Sequence, residues 1–292
     1  MGCAKAIERL FLEAGFSEGV FQELTIDVPQ VEEVIASNIV CGVTLTGSEG
    51  AGVAVASLVG KHIKKSVLER GGSDAFIVLD DANLEAAARV AVQSRMGNAG
   101  QACICAKRFI VTDSVANDFI SLFIEKVKKI QQGNPMDIQN QMGPLARIDL
   151  AEKLELQLRT SLDQGAQLLL GGEREQCNFQ PTILDHVQVE IIAFKEETFG
   201  PVASIVREKN EDEAIILANQ HRYGLAAAIW SENVEKAQQL ARKIEAGSVF
   251  INSLVRSHSQ IAFGGIKKSG YGRELGTIGL KEFLNVKSIV IG

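Results

Sequence analysis

Apolar residues recur along this chain in two alternating rhythms. Ala4, Ile7, Leu10, Phe11 and Ala14 fall at helical spacing and Gly15 offers a stop, which predicts a helix over Cys3 to Ala14. After a short apolar run at Gly19-Val20-Phe21, Asp27 and Pro29 open a second helix through Val31, Val34 and Ile35. The stretch from Ile39 to Thr46 is continuously apolar, as expected of a strand buried on both faces. It runs into Gly47-Ser48-Glu49-Gly50-Ala51-Gly52 and then a helix from Val53 to about Lys61. Strand, glycine-rich turn and helix in that order predict a doubly wound α/β layer.

The alternation continues. Strands are predicted at Lys65 to Leu68, Ala75 to Leu79, Arg108 to Val111, near Leu168 and Thr182, and at Val202 to Val206, Ala226 to Trp230 and Ser248 to Ile251. Helices are predicted over Leu84 to Ser94, Val115 to Ile130, Leu150 to Leu162, Glu211 to Ala218 and Val234 to Ile244. A glycine-rich loop runs from Phe263 to Gly270, and Phe283 to Ile291 alternates apolar and polar residues like an exposed edge strand that pairs with another subunit. The pattern contains no internal repeat and no low-complexity linker.

Composition narrows the class. With 292 residues and 46% hydrophobic content the chain can bury a sizeable core in two domains. Thirty basic against 36 acidic residues give a formal charge of -6, which argues against nucleic acid or an anionic membrane as partner. The longest apolar patches, such as Leu168-Leu169-Leu170, are strand-sized, and the N-terminus lacks a signal-peptide core. The cysteines at positions 3, 41, 103, 105 and 177 match neither a disulfide scaffold nor a zinc ligand set, so a cytoplasmic setting is expected. The histidines at 62, 186, 221 and 258 are scattered, and no metal is expected.

Candidate chemistry begins with Cys103, set among the small residues of Asn98-Ala99-Gly100-Gln101-Ala102-Cys103. A thiol so placed can be approached closely by a substrate, and Glu69, ahead of Gly71-Gly72, is a carboxylate that could serve it as base. Cys105, two residues on, adds a possible redox partner. Both cysteines could equally be small buried hydrophobes, and Glu69 a solvated strand end. The Gly47-Ser48 turn at a helix N-terminus is an anion site or an ordinary βα turn. Glu197 and Phe199, in Glu196-Glu197-Thr198-Phe199-Gly200-Pro201, offer a carboxylate for a ribose diol and an aromatic for a nicotinamide ring, or else a helix end and a turn.

Taken in order, Thr46-Gly47-Ser48, Leu68-Glu69-Arg70-Gly71-Gly72, Gly100-Gln101-Ala102-Cys103, Glu196 to Pro201, and Phe263-Gly264-Gly265 through Arg273-Glu274-Leu275 resemble the aldehyde dehydrogenase superfamily from end to end. Within it, Met1-Gly2-Cys3-Ala4, Gly71-Gly72-Ser73-Asp74, Ala106-Lys107-Arg108-Phe109 and Ala262 to Gly270 resemble bacterial succinate-semialdehyde dehydrogenases. The resemblance implies an α/β aldehyde dehydrogenase-like fold: a partial Rossmann-type cofactor domain over 1–70, an α/β catalytic domain over 71–272 and an oligomerisation segment over 273–292. It implies oxidation of an aldehyde, succinic semialdehyde to succinate, with NAD or NADP as cofactor. Cys103 would attack to give a thiohemiacetal and then a thioester, and Glu69 would activate the hydrolytic water. Gly47 and Ser48 would meet the pyrophosphate, Glu197 the nicotinamide ribose and Phe199 the ring. The backbone N–H of Cys103 would be one oxyanion donor. Arg256, Ser257 and Phe263 would face the substrate, with Arg256 also readable as a solvent-facing loop charge, and Arg95 is a nearby cation. Cys105 matches a position at which some relatives carry a second cysteine that closes a redox disulfide. A homodimer or homotetramer is implied.

The chain departs from the family pattern in two respects. It begins where the family is already well into its cofactor domain, so an N-terminal portion carrying a side-chain oxyanion donor and residues that distinguish NAD from NADP is expected to be missing. Arg70 stands where the family usually has Leu. An inactive remnant, or an oligomerisation partner of an aldehyde dehydrogenase, is the alternative expectation.

Overall fold

The computed structural model describes residues 2–292, beginning with α1 (Gly2–Glu13) and α2 (Val28–Ala36). The first βαβ unit is β1 (Gly42–Gly47), α3 (Glu49–Lys61) and β2 (Lys65–Arg70). β1 and β2 pair in parallel, setting Thr46 opposite Glu69 and Gly47 opposite Arg70 at their C-terminal ends. In open α/β sheets that end is where ligands bind.

The chain then builds a larger sheet. Its elements are β3 (Asp74–Val78), α4 (Leu84–Met96), β4 (Ala106–Thr112), α5 (Asp113–Val127), α6 (Ile148–Asp163) and β5 (Gln167–Leu170). A small hairpin, β6 (Arg174–Glu175) with β7 (Asn178–Phe179), precedes β8 (Thr182–Asp185), α7 (Ile192–Lys195), β9 (Val202–Glu208) and α8 (Glu211–Asn219). β10 (Tyr223–Gly224), β11 (Ala226–Trp230), α9 (Val234–Ala241) and β12 (Ser248–Ile251) follow. The strand order is β12-β11-β3-β4-β9-β8-β5, parallel throughout except for β5 against β8. β3, β4 and β11 are buried at every residue, because helices cover both faces of a parallel sheet. The Phe76 ring lies 5.3 Å from Phe109 and 5.6 Å from Trp230, tying three strands together side by side.

The end of the chain returns to the first sheet. β13 (Ile266–Lys267) pairs with β10, and β14 (Gly270–Tyr271) pairs antiparallel with β2, placing Gly270 opposite Glu69. α10 (Gly276–Lys281) follows. The glycine-rich loop predicted at 263–270 is therefore the strap that closes over the end of β2.

Two sequence expectations change in detail. Ile39 to Thr46 was expected to form a doubly buried strand, yet the strand runs from Gly42 to Gly47 and is half-buried or exposed throughout. β1 is an edge of its three-stranded sheet, so it has a neighbour on one side only. The helix expected to start at Val53 starts at Glu49, because the Ser48 hydroxyl accepts the Ala51 N–H and caps it early. The segment from Phe283 to Ile291 forms no strand within this chain and stays exposed, with Phe283 packed on Gly42. No helix among the described residues is long and apolar enough to cross a membrane.

Candidate active site

The segment before Cys103 is held in an uncommon backbone shape. Asn98, Ala99 and Gly100 all have positive φ, at 51°, 53° and 71°. Left-handed conformation is rare for a residue with a side chain and is sustained here by surrounding contacts. Asn98 Nδ2 donates to the Gln101 carbonyl, and Gln101 Nε2 donates back to the Asn98 carbonyl. Gln101 Oε1 accepts the Ala146 N–H at 2.8 Å, anchoring the loop to the segment ahead of α6. Gly100 packs so tightly on Gly200 that a methyl group would overlap the Gly200 carbonyl.

Lys107 reaches back from β4 to fix the other side of the loop. Its side chain is 0% exposed; Nζ donates to the carbonyls of Ala102 at 3.1 Å and Cys103 at 2.8 Å and pairs with Glu197 Oε1 at 3.3 Å. Burial pushes the Cys103 thiol up to about 11; Lys107 opposes that shift, and the charges of Asp74 and Glu197 add to it. The thiol is therefore protonated at neutral pH, and a cation beside it supplies the main pull toward thiolate.

Glu69, at the end of β2, is 3% exposed, and neither carboxylate oxygen has a hydrogen-bond partner. Burial raises its carboxyl to about 7, reinforced by Glu274 and opposed by Arg273. A carboxyl that exchanges its proton near neutrality, with both oxygens free, suits proton transfer to and from a reacting group. Asp74, also buried, is lifted to about 7 by the same desolvation, countered by Lys107 and by the Ala226 N–H that it accepts.

Glu197 is positioned from three sides. Lys107 pairs with it, the Gly72 N–H donates to Oε1 at 3.1 Å, and Gln157 Nε2 donates to the Glu197 carbonyl and to Glu196 Oε2. The two glycines after Arg70 are required by these approaches. A methyl on Gly71 would overlap the Glu197 carboxylate, and one on Gly72 would stand 2.7 Å from the Cys103 carbonyl oxygen.

These groups face one open cleft of about 690 Å³, lined by Gly47, Ser48, Glu69, Cys103, Glu197 and Phe199 among others. Six residues singled out in the sequence thus converge there from four separate segments. The remaining candidates do not line it. Arg256 and Ser257 are exposed, and Phe263 is half-buried with its backbone bridged to Glu274. Cys105 is buried, its sulfur directed at the Gly97 carbonyl 3.9 Å away. Arg95 is 0% exposed and donates to the Ala106 and Thr198 carbonyls, so it braces the loop from inside and is not a surface cation for substrate. Gln157 escaped the reading of separate motifs, and Lys107 and Arg70 entered it only as motif members with no role in the site. The available signal was the pair Lys107-Arg108 inside an otherwise apolar strand, since a buried charge needs partners.

Comparison with known proteins places these features in context. A profile of the aldehyde dehydrogenase family matches residues 2–289. The chain is 44% identical over 292 residues to the succinate semialdehyde dehydrogenase [NAD(P)+] Sad of Escherichia coli (strain K12), covering 99% of this chain and 63% of that protein. It is 42% identical to the succinate-semialdehyde dehydrogenase [NADP(+)] of Deinococcus radiodurans, covering 98% of this chain and 61% of that one. The crystal structure of succinic semialdehyde dehydrogenase from Streptococcus pyogenes in complex with NADP+ superposes with a TM-score of 0.96 at 43% identity, covering 99% of this chain and 64% of that one. The chain thus spans a little over three fifths of the length of the relatives it matches. With a profile match along nearly its whole length and a near-superimposable backbone, this chain belongs to the aldehyde dehydrogenase family.

Proposed function

We propose that this chain carries the thiol half of an NAD(P)-dependent aldehyde oxidation, with succinic semialdehyde as substrate and succinate as product. One observation carries the reading: Cys103, Glu69, Glu197 and the Gly47-Ser48 turn face a single cleft. The donor set fits a dinucleotide. The α3 N-terminus offers free N–H groups to a diphosphate, Glu197 an acceptor for a ribose diol and Phe199 an exposed ring face. A bound NAD or NADP supplies the acceptor for the hydride lost from substrate.

The residues of the chain then act in sequence. The Cys103 sulfur gives up its proton to the Glu69 carboxylate, which passes it on to solvent, and bonds to the aldehyde carbon, and the negative charge passes to the former carbonyl oxygen as a thiohemiacetal. The Cys103 backbone N–H would donate a hydrogen bond to that oxygen. Loss of the carbon-bound hydrogen as hydride, with its two electrons, leaves a thioester on Cys103. Glu69 takes a proton from the water that attacks this thioester; the carbon–sulfur bond breaks, releasing the acid and restoring the thiol. Residues 1–70 form the cofactor side of this assembly, 71–272 the nucleophile side and 273–292 a returning segment that joins subunits into a homodimer or homotetramer.

The test is to mix the purified chain with succinic semialdehyde and NAD or NADP and follow reduced nicotinamide. Turnover abolished in Cys103→Ala, and cut to a single stoichiometric burst in Glu69→Gln, is the expected pattern. Reduction unaffected by Cys103→Ala would sink the reading. Arg256, Ser257 and Phe263 are proposed for the carboxylate end of the substrate. Arg256→Ala should raise KM for succinic semialdehyde far more than for an uncharged aldehyde, and equal effects on both would remove the assignment. Cys105 is proposed to close a reversible disulfide with Cys103; identical irreversible peroxide inactivation of wild type and Cys105→Ala would refute it.

A second reading, a chain without turnover of its own, is favoured by the burial of the Cys103 thiol, which disfavours the thiolate needed for attack. Alkylation of Cys103 with and without NADP separates the two: unchanged sluggishness in both supports the inactive reading.

A further inference from the structure

Arg70 combines three properties that rarely occur together. It is 8% exposed, its Nε has no hydrogen-bond partner, and no carboxylate pairs with it among the described residues. Its stem packs on the first turn of α3, where a methyl on Gly52 would overlap the Arg70 Cδ, and its side chain lines the cleft beside Gly47, Ser48 and Gly50. Glu49, the acidic residue on that turn, is already engaged by Arg222 at 3.5 Å and by the Tyr223 hydroxyl at 3.2 Å.

A buried guanidinium without a counter-ion is unfavourable, and the positive end of a helix beside it makes it more so. Ser48 Oγ takes the Ala51 N–H and the Ser48 carbonyl takes the Gly52 N–H, which leaves the N–H groups of Glu49 and Gly50 without helical partners. Two sources of positive potential therefore meet at one wall of the cleft, while the carboxylate on that turn, Glu49, is engaged by Arg222 and Tyr223 and not by Arg70. An anion there relieves both at once.

We infer that Arg70 and the first turn of α3 form a phosphoryl-anion site, in which the guanidinium clamps a diphosphate against the Glu49 and Gly50 N–H groups. Arginine is suited to this because its planar fork bonds two phosphate oxygens together. Naming the diphosphate bridge of a dinucleotide as occupant rests on the cofactor reading above; the anion site itself does not.

The test is calorimetric titration of the purified chain with inorganic pyrophosphate, NAD and NADP, in wild type, Arg70→Leu, Arg70→Met and Arg70→Lys, with thermal unfolding alongside. Pyrophosphate should bind wild type and weaken roughly tenfold or more in Arg70→Leu and Arg70→Met, with Arg70→Lys between. Without ligand, both apolar variants should melt higher than wild type, because they remove an unpaired buried charge. Pyrophosphate should raise the melting temperature of wild type most, of Arg70→Lys less, and of Arg70→Leu and Arg70→Met least. Equal pyrophosphate affinity in wild type and a folded Arg70→Met, or no binding to wild type, overturns the inference. Arg70-dependent pyrophosphate binding that neither NAD nor NADP displaces keeps the anion site and removes the cofactor reading. NADP binding equally tight in wild type and Arg70→Met keeps the cofactor reading and removes Arg70 from it.

Discussion

The Lys107 ammonium, fully buried in β4, lies 3.3 Å from Glu197 Oε1 while also holding the Cys103 carbonyl. One cation thus couples the proposed nucleophile loop to the proposed ribose-binding carboxylate. Removing one member of a buried pair leaves the other uncompensated. Lys107→Met should lower unfolding stability by about 3 kcal/mol. It should also slow Cys103 alkylation, since the cation favouring thiolate is gone. Denaturant midpoints and alkylation rates measure the two effects, and an unchanged rate would show that Lys107 acts only on stability.

Burial raises the Cys103 thiol to about 11 in the ligand-free chain. On the order of one thiol in a thousand is then ionised near pH 8, and the iodoacetamide rate should climb roughly tenfold per pH unit up to about pH 10. Peptide mapping of the modified cysteine over that range checks it. A rate that levels off near pH 8 would mean a thiol already activated by the fold.

Glu69 is raised from 4.5 to about 7 in the folded chain. The folded state therefore binds its proton more tightly than the unfolded state does. The stability it contributes is fully present below 4.5 and is lost as pH rises through about 7, by on the order of 3 kcal/mol. Glu69→Gln should match wild type near about pH 5 and be more stable near about pH 8. Asp74, also raised to about 7, acts with the same sign, so the Glu69→Gln/Asp74→Asn double variant should show the flattest pH profile. Chemical denaturation across pH reports all three.

Arg95 donates to the Ala106 and Thr198 carbonyls with no exposure to solvent. Its loss orphans both acceptors and opens a cavity beside the Cys103 loop. Arg95→Ala should cost about 3 kcal/mol or more in stability, read from the urea midpoint. A variant as stable as wild type, with only KM for a carboxylate-bearing aldehyde altered, would instead make Arg95 a substrate contact.

What the sequence determined by itself is what depends on near neighbours. The strand and helix alternation follows from hydrophobic spacing, and the apolar runs Ala75 to Val78 of β3, Phe109 to Val111 of β4 and Ala226 to Trp230 of β11 mark a covered parallel sheet. The ordered motifs around Gly47, Glu69, Cys103 and Glu197 were legible as separate chemical pieces, and all four reach the cleft. The tertiary structure decided what depends on contacts distant in sequence. β1 is apolar enough to be buried, but its place at a sheet edge leaves it half-exposed. Arg95 and Arg256 are equal charges in the sequence, yet one is sealed in the core and the other lies on an exposed loop. Lys107 and Glu197 become partners, and Arg70 stays without one, because strand order sets which charges meet inside a low-dielectric interior. There, a partner or its absence governs protonation, stability and the capacity to bind an anion.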